Sequence, residues 1–179
     1  ESGPSLGFNN TTPPDEHVRW LREVNPDYLL VQAALVEHIA LGMQECSSLE
    51  RLKRIQTVSQ QLTPAVRRHA DAVFQVPIQQ NYGLNEFGLV ASRCPEAGRY
   101  HVHHEHCTFG IVNAAGEPCE PGEFGKLLIT SFNNLAQPMF RYDTDDLAQV
   151  ADGPCPCGRT LPSFADIRGR YRRLASLPE

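Results

Sequence analysis

The chain has 179 residues, 41% of them hydrophobic, and a formal net charge of -5 at pH 7. That length suits one domain, or two small ones sharing a core, and folding should hide roughly 70% of the surface that the unfolded chain exposes, so a core forms without covalent staples. Charges of both signs are interspersed, which excludes a nucleic-acid binder built on a basic face, and no apolar run approaches the roughly 20 residues needed to span a bilayer. The short cluster from Arg168 to Arg173 reads as a solvated strand end. The opening residues, ESGPSLGFNN, lack the basic start and apolar stretch of a signal peptide, so the expected location is cytoplasmic.

Taken in chain order, residues 12 to 90 alternate helix and strand. Thr12 before Pro13 and Pro14 reads as a helix start, an N-cap with proline in the first turn, and Val18, Leu21 and Val24 then share a face. Tyr28 to Val31 is a short apolar strand, followed by a helix with Leu35, Ile39 and Met43 at near-helical spacing. Ile55 to Val58 is a second strand; Thr63-Pro64 starts a helix carrying Val66, Ala70 and Val73; and Val76 to Gln80 is a third strand running into Asn81-Tyr82-Gly83. Such alternation predicts a parallel sheet with right-handed crossovers.

After residue 98 the texture changes. Cys107 to Val112, Lys126 to Thr130, Met139 to Tyr142 and Leu147 to Val150 are short strand-like segments between turn-rich stretches, Asn113 to Gly122 and Asp152 to Gly158 among them. This is the pattern of a small antiparallel barrel or curled sheet. The expected fold class is α/β, a parallel-sheet α/β subdomain over 1–95 followed by a small antiparallel β-barrel-like subdomain over 96–179.

Two segments carry chemistry. Tyr82-Gly83-Leu84-Asn85-Glu86-Phe87-Gly88 sits where a parallel strand ends, the place where open sheets collect ligands. An aromatic ring, a glycine and a carboxylate there can stack a base, let backbone approach a phosphate and hold a metal ion. Farther on, Pro138-Met139-Phe140-Arg141-Tyr142-Asp143-Thr144-Asp145-Asp146-Leu147 places carboxylates just after an apolar strand, where they can accept hydrogen bonds from sugar hydroxyls. Each segment has an ordinary reading by itself, a strand-ending turn and a charged hairpin corner.

Together, Tyr-Gly-x-x-Glu and Arg-Tyr-x-Thr-x-Asp-Leu resemble the fifth and seventh core motifs of adenylate-forming enzymes. Arg93-Cys94-Pro95-Glu96, Tyr100-His101-Val102, Gly116-Glu117-Pro118, Pro121-Gly122-Glu123-Phe124-Gly125-Lys126-Leu127 and Gly153-Pro154-Cys155-Pro156-Cys157-Gly158-Arg159 look like the phenylacetate-CoA ligase-like branch. The resemblance implies that Tyr82 stacks on adenine, that Gly83 and Asn85 border the adenosine and its phosphate, and that Glu86, the catalytic candidate, helps hold Mg2+. It implies further that Asp146 binds the ribose hydroxyls with support from Arg170. The implied cofactors are ATP/AMP, Mg2+, structural Zn2+ and CoA as co-substrate; the implied partners are a small carboxylic acid and CoA, or a carrier-protein thiol. The implied chemistry is attack of the carboxylate on the α-phosphorus of ATP, releasing pyrophosphate, and then displacement of AMP by a thiol.

The chain departs from the family at four places: Asn85 stands for a usual Thr, Asp145 for a usual Gly, Gln60 for a common Glu, and Arg172 where a hinge carboxylate is expected. The family's Ser/Thr/Gly-rich phosphate loop is expected upstream of residue 1 and its lid, with the lysine that contacts the acyl phosphate, beyond residue 170. The chain is therefore expected to be an internal fragment, inactive in isolation, and exposed apolar surface on such a piece leaves homodimerisation open.

Six cysteines and four histidines between residues 101 and 106 in a chain without a secretion signal read as metal before disulfide. Cys155-Pro156-Cys157 offers two thiolates from one turn; Cys94 and His101 offer two more ligands, with His103 as the alternative to His101. His101 and His103, two apart on a strand, point to one side. The resemblance supports zinc at Cys94, His101, Cys155 and Cys157 and gives His106 a counterpart near the acyl pocket. Cys46, Cys107 and Cys119 are read as free thiols. The competing reading of the whole is a catalytically inactive, zinc-stabilised binding or assembly module derived from this fold; a redox protein would need an exposed Cys-x-x-Cys, which is absent.

Overall fold

Helix and strand alternate through the first half of the chain because apolar residues recur at helical spacing between short β-branched runs. The computed structural model describes residues 3–9, 11–44 and 49–170; Cys46 and Arg172 lie outside the described residues. Helices α1 (Pro14–Val24), α2 (Ala33–Gln44) and α3 (Pro64–Phe74) alternate with strands β1 (Tyr28–Gln32), β2 (Arg54–Val58) and β3 (Ile78–Leu84). Strands β1, β2 and β3 are parallel neighbours, with Leu29 opposite Ile55 and Ile55 opposite Ile78. Parallel neighbours joined through a helix are β-α-β units.

The α3 start is the one anticipated: Thr63 Oγ1 accepts a hydrogen bond from the Val66 N–H at 3.2 Å, and Pro64 opens the first turn. The α1 start differs from the expectation. Pro13 rather than Thr12 occupies the cap position, without a side-chain cap, since proline there has the extended backbone a cap needs. The core of this part gathers Val18 and Leu21 from α1, Val36, Ile39 and Met43 from α2, Ile55 and Ile78 from the strands, and Ala70 from α3.

The chain separates into two compact units at Gln80/Asn81. The reason lies in β3, whose Ile78–Gln80 pairs in the parallel sheet while Asn81–Leu84 pairs antiparallel with β4 (Gly88–Arg93). Everything from Asn81 onward belongs to the second unit, which also holds β5 (Tyr100–Val102), β6 (Cys107–Val112), β7 (Phe124–Ser131), β8 (Tyr142–Val150) and β9 (Ser163–Arg170). Its strand order is β3-β4-β5-β9-β8-β7-β6, all antiparallel.

This second sheet curls. The connection from β5 to β6 is a tight turn in which the His106 N–H donates to the His103 carbonyl at 2.9 Å. In a flat sheet those strands would stand four spacings, roughly 19 Å, apart. A turn that short joins them only if the sheet bends round, and residues from β4 to β9 accordingly share one core: Val90, Tyr100, Val102, Ile111, Leu127, Ile129, Ala148 and Phe164. The strand anticipated at Met139 to Tyr142 is observed later: Met139, though buried, lies ahead of it, because β8 begins at Tyr142. The carboxylates of the second motif therefore lie within a strand instead of after one.

Gly125 on β7 backs onto the Val112 carbonyl, and a methyl group there would also meet Cys119 Sγ at 2.5 Å. Backbone cannot yield as a flexible side chain can. Gly125→Ala is expected to lower stability by about 1–3 kcal/mol, the range for overpacking, read as a fall in the urea midpoint at unchanged slope.

Candidate functional site

The two motif segments meet in the second unit. Tyr82, near the end of β3, donates its hydroxyl to Asp146 Oδ2 on β8 at 2.7 Å, across 64 residues of sequence. Asp146 is buried, at 7% exposure, and its register partner on β9 is Arg170. Burial, the hydrogen bond to Asp146 and that carboxylate's charge push the Tyr82 phenol far above its usual range; a hydrogen bond with Thr144 and the positive charge of Arg170 oppose the shift. Tyr82 is thus a neutral donor at any physiological pH. Its ring stands edge-on to Phe164, centroids 6.1 Å apart at 89°.

Asn85 and Glu86 are exposed in the turn between β3 and β4, where the Phe87 N–H donates to the Leu84 carbonyl at 3.1 Å. Gly83 sits against the opposite arm of this hairpin, with space for a Cβ only 2.6 Å from the Gly88 carbonyl oxygen. The close strand approach explains a glycine there. The structure thus brings Tyr82, Asp146 and Arg170 together and leaves Glu86 and Asn85 at the hairpin tip.

Asp146 is aimed by its neighbours. Thr144 donates its hydroxyl to the Leu127 carbonyl at 2.9 Å and accepts the Asp146 N–H at 3.2 Å, pinning the strand on both sides of Asp145. Asp145 itself has φ of 60°, in the left-handed region. A glycine is favoured in that conformation, and aspartate is among the few other residues that tolerate it. Next to it, Asp143 accepts a 2.7 Å hydrogen bond from Lys126 Nζ, which holds its carboxyl below the usual range. Lys126 was not singled out from sequence; the strand register alone pairs it with this region.

The cysteines and one histidine form a second cluster. Strand β5 pairs with both β4 and β9, so the loop after β4, the start of β5 and the loop before β9 meet at one end of the sheet. There Cys94, His101, Cys155 and Cys157 place one ligand atom each within 4.8 Å of one another. Cys94 Sγ and Cys155 Sγ are 3.9 Å apart, and Cys157 Sγ and His101 Nε2 3.4 Å. A tetrahedral ion with metal–sulfur bonds of about 2.3 Å separates its sulfurs by about 3.8 Å and a sulfur–nitrogen pair by about 3.5 Å. The cluster therefore has the dimensions of a four-ligand metal site.

Burial pushes the Cys94 thiol up, but the backbone N–H groups of Ala97 and Glu96, with hydrogen bonds involving His101 and Cys157, outweigh it and bring the group down to about 6. Burial and the neighbouring thiols raise Cys155. The geometry separates the two histidine candidates. His103 Nε2 lies 3.1 Å from Ser92 Oγ, away from the sulfurs, while His101 joins them. His103, anticipated on one strand with His101, lies just beyond the end of β5 at Val102, and His104 and His106 lie in the turn that follows. Among the thiols read as free, Cys107 is buried and Cys119 half-buried, and neither is in a disulfide.

Arg99, which sequence reasoning passed over, ties the two halves of this cluster. Its guanidinium donates to the carbonyls of Gly153 at 2.7 Å, Asp152 at 2.8 Å and Pro154 at 3.3 Å. A side chain whose partners are backbone carbonyls on a distant loop leaves no trace in a sequence pattern.

The chain is similar to the phenylacetate-coenzyme A ligase of Thermus thermophilus, 33% identical over 112 residues, covering 60% of this chain and 25% of the relative. It is similar also to the phenylacetate-coenzyme A ligase of Escherichia coli, 27% identical over 164 residues, covering 87% of this chain and 37% of the relative. Its fold matches that of a 2-hydroxyisobutyryl-CoA ligase in an open conformation in complex with 2-HIB-AMP and CoA, with a TM-score of 0.80 and 19% identity over 92% of this chain and 38% of that one. No protein-family model matches the chain. The chain spans between a quarter and two fifths of the length of these relatives. Both of these sequence relatives are phenylacetate-coenzyme A ligases, and the chain's fold matches a part of the fold of a 2-hydroxyisobutyryl-CoA ligase.

The conformation of Asp145 yields a direct test. The left-handed region costs an L-residue about 1–2 kcal/mol, and glycine's extra unfolded-state entropy returns about 0.5–1 kcal/mol of that. Asp145→Gly is therefore expected to stabilise the chain by about 0.5–1 kcal/mol, and Asp145→Val to destabilise it, measured as opposite shifts in the denaturation midpoint.

Proposed function

We propose that this chain is the adenosine-binding stretch of an ATP-dependent carboxylic acid:CoA ligase of the phenylacetate-CoA ligase type, stapled by a structural zinc ion. One observation carries the reading: the Tyr82 hydroxyl on Asp146, which joins the two motif segments at a single place. Each carboxylate oxygen has two acceptor sites, so Asp146 keeps capacity for a ribose diol while Tyr82 holds it in orientation. Arg170, its register partner, balances the charge. Glu86 at the exposed hairpin tip would help hold Mg2+, which supplies neutralisation of phosphate charge when bound.

In the full-length enzyme the reaction would proceed by attack of a carboxylate oxygen on the α-phosphorus, forming the acyl-adenylate and expelling pyrophosphate. A thiol, of CoA or a carrier protein, then adds to the acyl carbon and AMP leaves. Positioning and charge neutralisation carry such chemistry. The task of this stretch is to fix the adenosine so that the α-phosphorus is presented in one orientation. The division of labour follows the proposed domains, with the α/β part as framework and the β-rich part as nucleotide holder.

The Cys94, His101, Cys155 and Cys157 cluster fits zinc by ligand type and spacing. Four protein ligands leave no open position for water, so the ion would be structural, joining the loop after β4 to the loop before β9. Among the described residues no helix is long and apolar enough to cross a membrane. Exposed Leu135 and Phe140 offer apolar surface through which two copies would associate.

Two measurements test these readings. AMP added to the chain is expected to show saturation transfer to both adenine and ribose protons, with affinity at least tenfold weaker in Asp146→Asn, equivalent to about 1.4 kcal/mol. Absence of transfer, or an unchanged affinity in the variant, favours the catalytically inactive zinc module instead. Elemental analysis is expected to find roughly one zinc per chain and none in the Cys155→Ser, Cys157→Ser double variant, whose thermal midpoint should fall by about 10 °C or more. Reduced protein without metal would remove the zinc proposal.

A further inference from the structure

The four residues that close the turn from β5 to β6, His103-His104-Glu105-His106, converge on one carboxylate. His103 Nδ1 lies 3.8 Å from Glu105 Oε1, His104 Nδ1 3.8 Å from Glu105 Oε2, and His106 Nε2 4.0 Å from Glu105 Oε1. These distances are too long for hydrogen bonds. They are an ångström or less beyond the spacing at which two ligands share a metal ion with bonds of about 2.0–2.2 Å.

The second ring nitrogens of His103 and His106 are already engaged. Ser92 donates its hydroxyl to Asn81 Oδ1 at 2.9 Å, so its oxygen is left to accept from His103 Nε2 at 3.1 Å. That arrangement puts the proton on Nε2 and leaves the Nδ1 lone pair facing Glu105. A ligating histidine typically has its second nitrogen held by such a partner. His106 Nδ1 is anchored by the Asn133 side-chain amide at 2.8 Å, which fixes its ring with Nε2 toward the same carboxylate. The backbone supports the geometry as well: the His106 and Cys107 N–H groups both point at the His103 carbonyl, at 2.9 and 3.3 Å.

We propose that this turn is a second metal site, separate from the cysteine cluster, which takes a borderline divalent transition ion such as Ni2+ or Zn2+ through His103, His104, His106 and Glu105. Imidazole with one carboxylate suits these ions, whereas Mg2+ and Ca2+ prefer all-oxygen ligands. His104 and Glu105 are each more than half exposed along their side chains, so they close the last ångström by rotamer change around the anchored His103 and His106 rings and bind reversibly.

The test uses the full chain, saturated with zinc, freed of excess and titrated with Ni2+ under amide NMR. Paramagnetic broadening is expected to centre on residues 103 to 106 and on Asn133 and Phe132. A second metal equivalent should appear in equilibrium dialysis. His104→Gln, His106→Gln is expected to weaken that equivalent at least tenfold while the folded spectrum and the first equivalent persist; Glu105→Gln should weaken it less. Broadening centred elsewhere, no second equivalent, or a second equivalent undiminished in the double variant would each overturn the proposal. Broadening around Cys155 reports on the cysteine cluster, so the two metal readings fail separately.

Discussion

The ring of Phe164 has no solvent exposure and touches three other aromatic rings. Tyr100 stacks on it at 5.2 Å and 15°, while Tyr82 and Phe109 meet it edge-on at 6.1 and 5.6 Å. These are the favoured offset and T-shaped arrangements of aromatic pairs. Tyr82 belongs to the candidate nucleotide site, and Tyr100 is the immediate neighbour of His101 in the candidate metal site. One buried side chain therefore sets the position of both. It does so from β9, the strand that runs from the cysteine loop to Arg170.

That placement makes β5 and β9 the organising pair of the second unit. β5 has only three residues, yet it lies between β4 and β9 and carries Tyr100, His101 and Val102, all buried. A strand this short contributes few ladder hydrogen bonds. The aromatic stack beside it and the Arg99 clamp on the loop before β9 supply the remaining order. A metal ion at the cysteine cluster would add a third tie at the same end. The second proposed metal turn extends from the other end of β5, so this one strand links the two clusters.

The sites also differ in how their charge is managed. Asp146 is buried and held by a neutral phenol, with Arg170 as register partner; Asp143 is half-exposed and held by Lys126. Cys94 is favoured as thiolate by backbone N–H groups in spite of its burial. In each case the compensating group is fixed before any ligand arrives. Preorganisation of this kind lowers what binding must spend on ordering side chains.

Much of this was legible in the residues themselves. Helical periodicity and the Thr63 cap located α3, apolar runs located β1, β2 and β6, and the spacing of Cys155 and Cys157 marked a candidate metal loop. Local chemistry determines such features because each depends on neighbours a few residues away. The family resemblance picked out Tyr82 and Asp146, 64 residues apart, and named a role for each. Only tertiary structure decided the hydrogen bond between them, the gathering of His101 and not His103 with the three cysteines, the clamp by Arg99 and the division at residue 80. It also placed His103 beyond the end of β5 instead of on the strand with His101. These depend on strand order and register, and an antiparallel sheet whose order is β3-β4-β5-β9-β8-β7-β6 pairs strands through contacts that no local pattern encodes. The position of β9 beside β5 is the clearest case: it is set by the burial of Phe164 against Tyr100, a contact between two rings 64 positions apart in sequence.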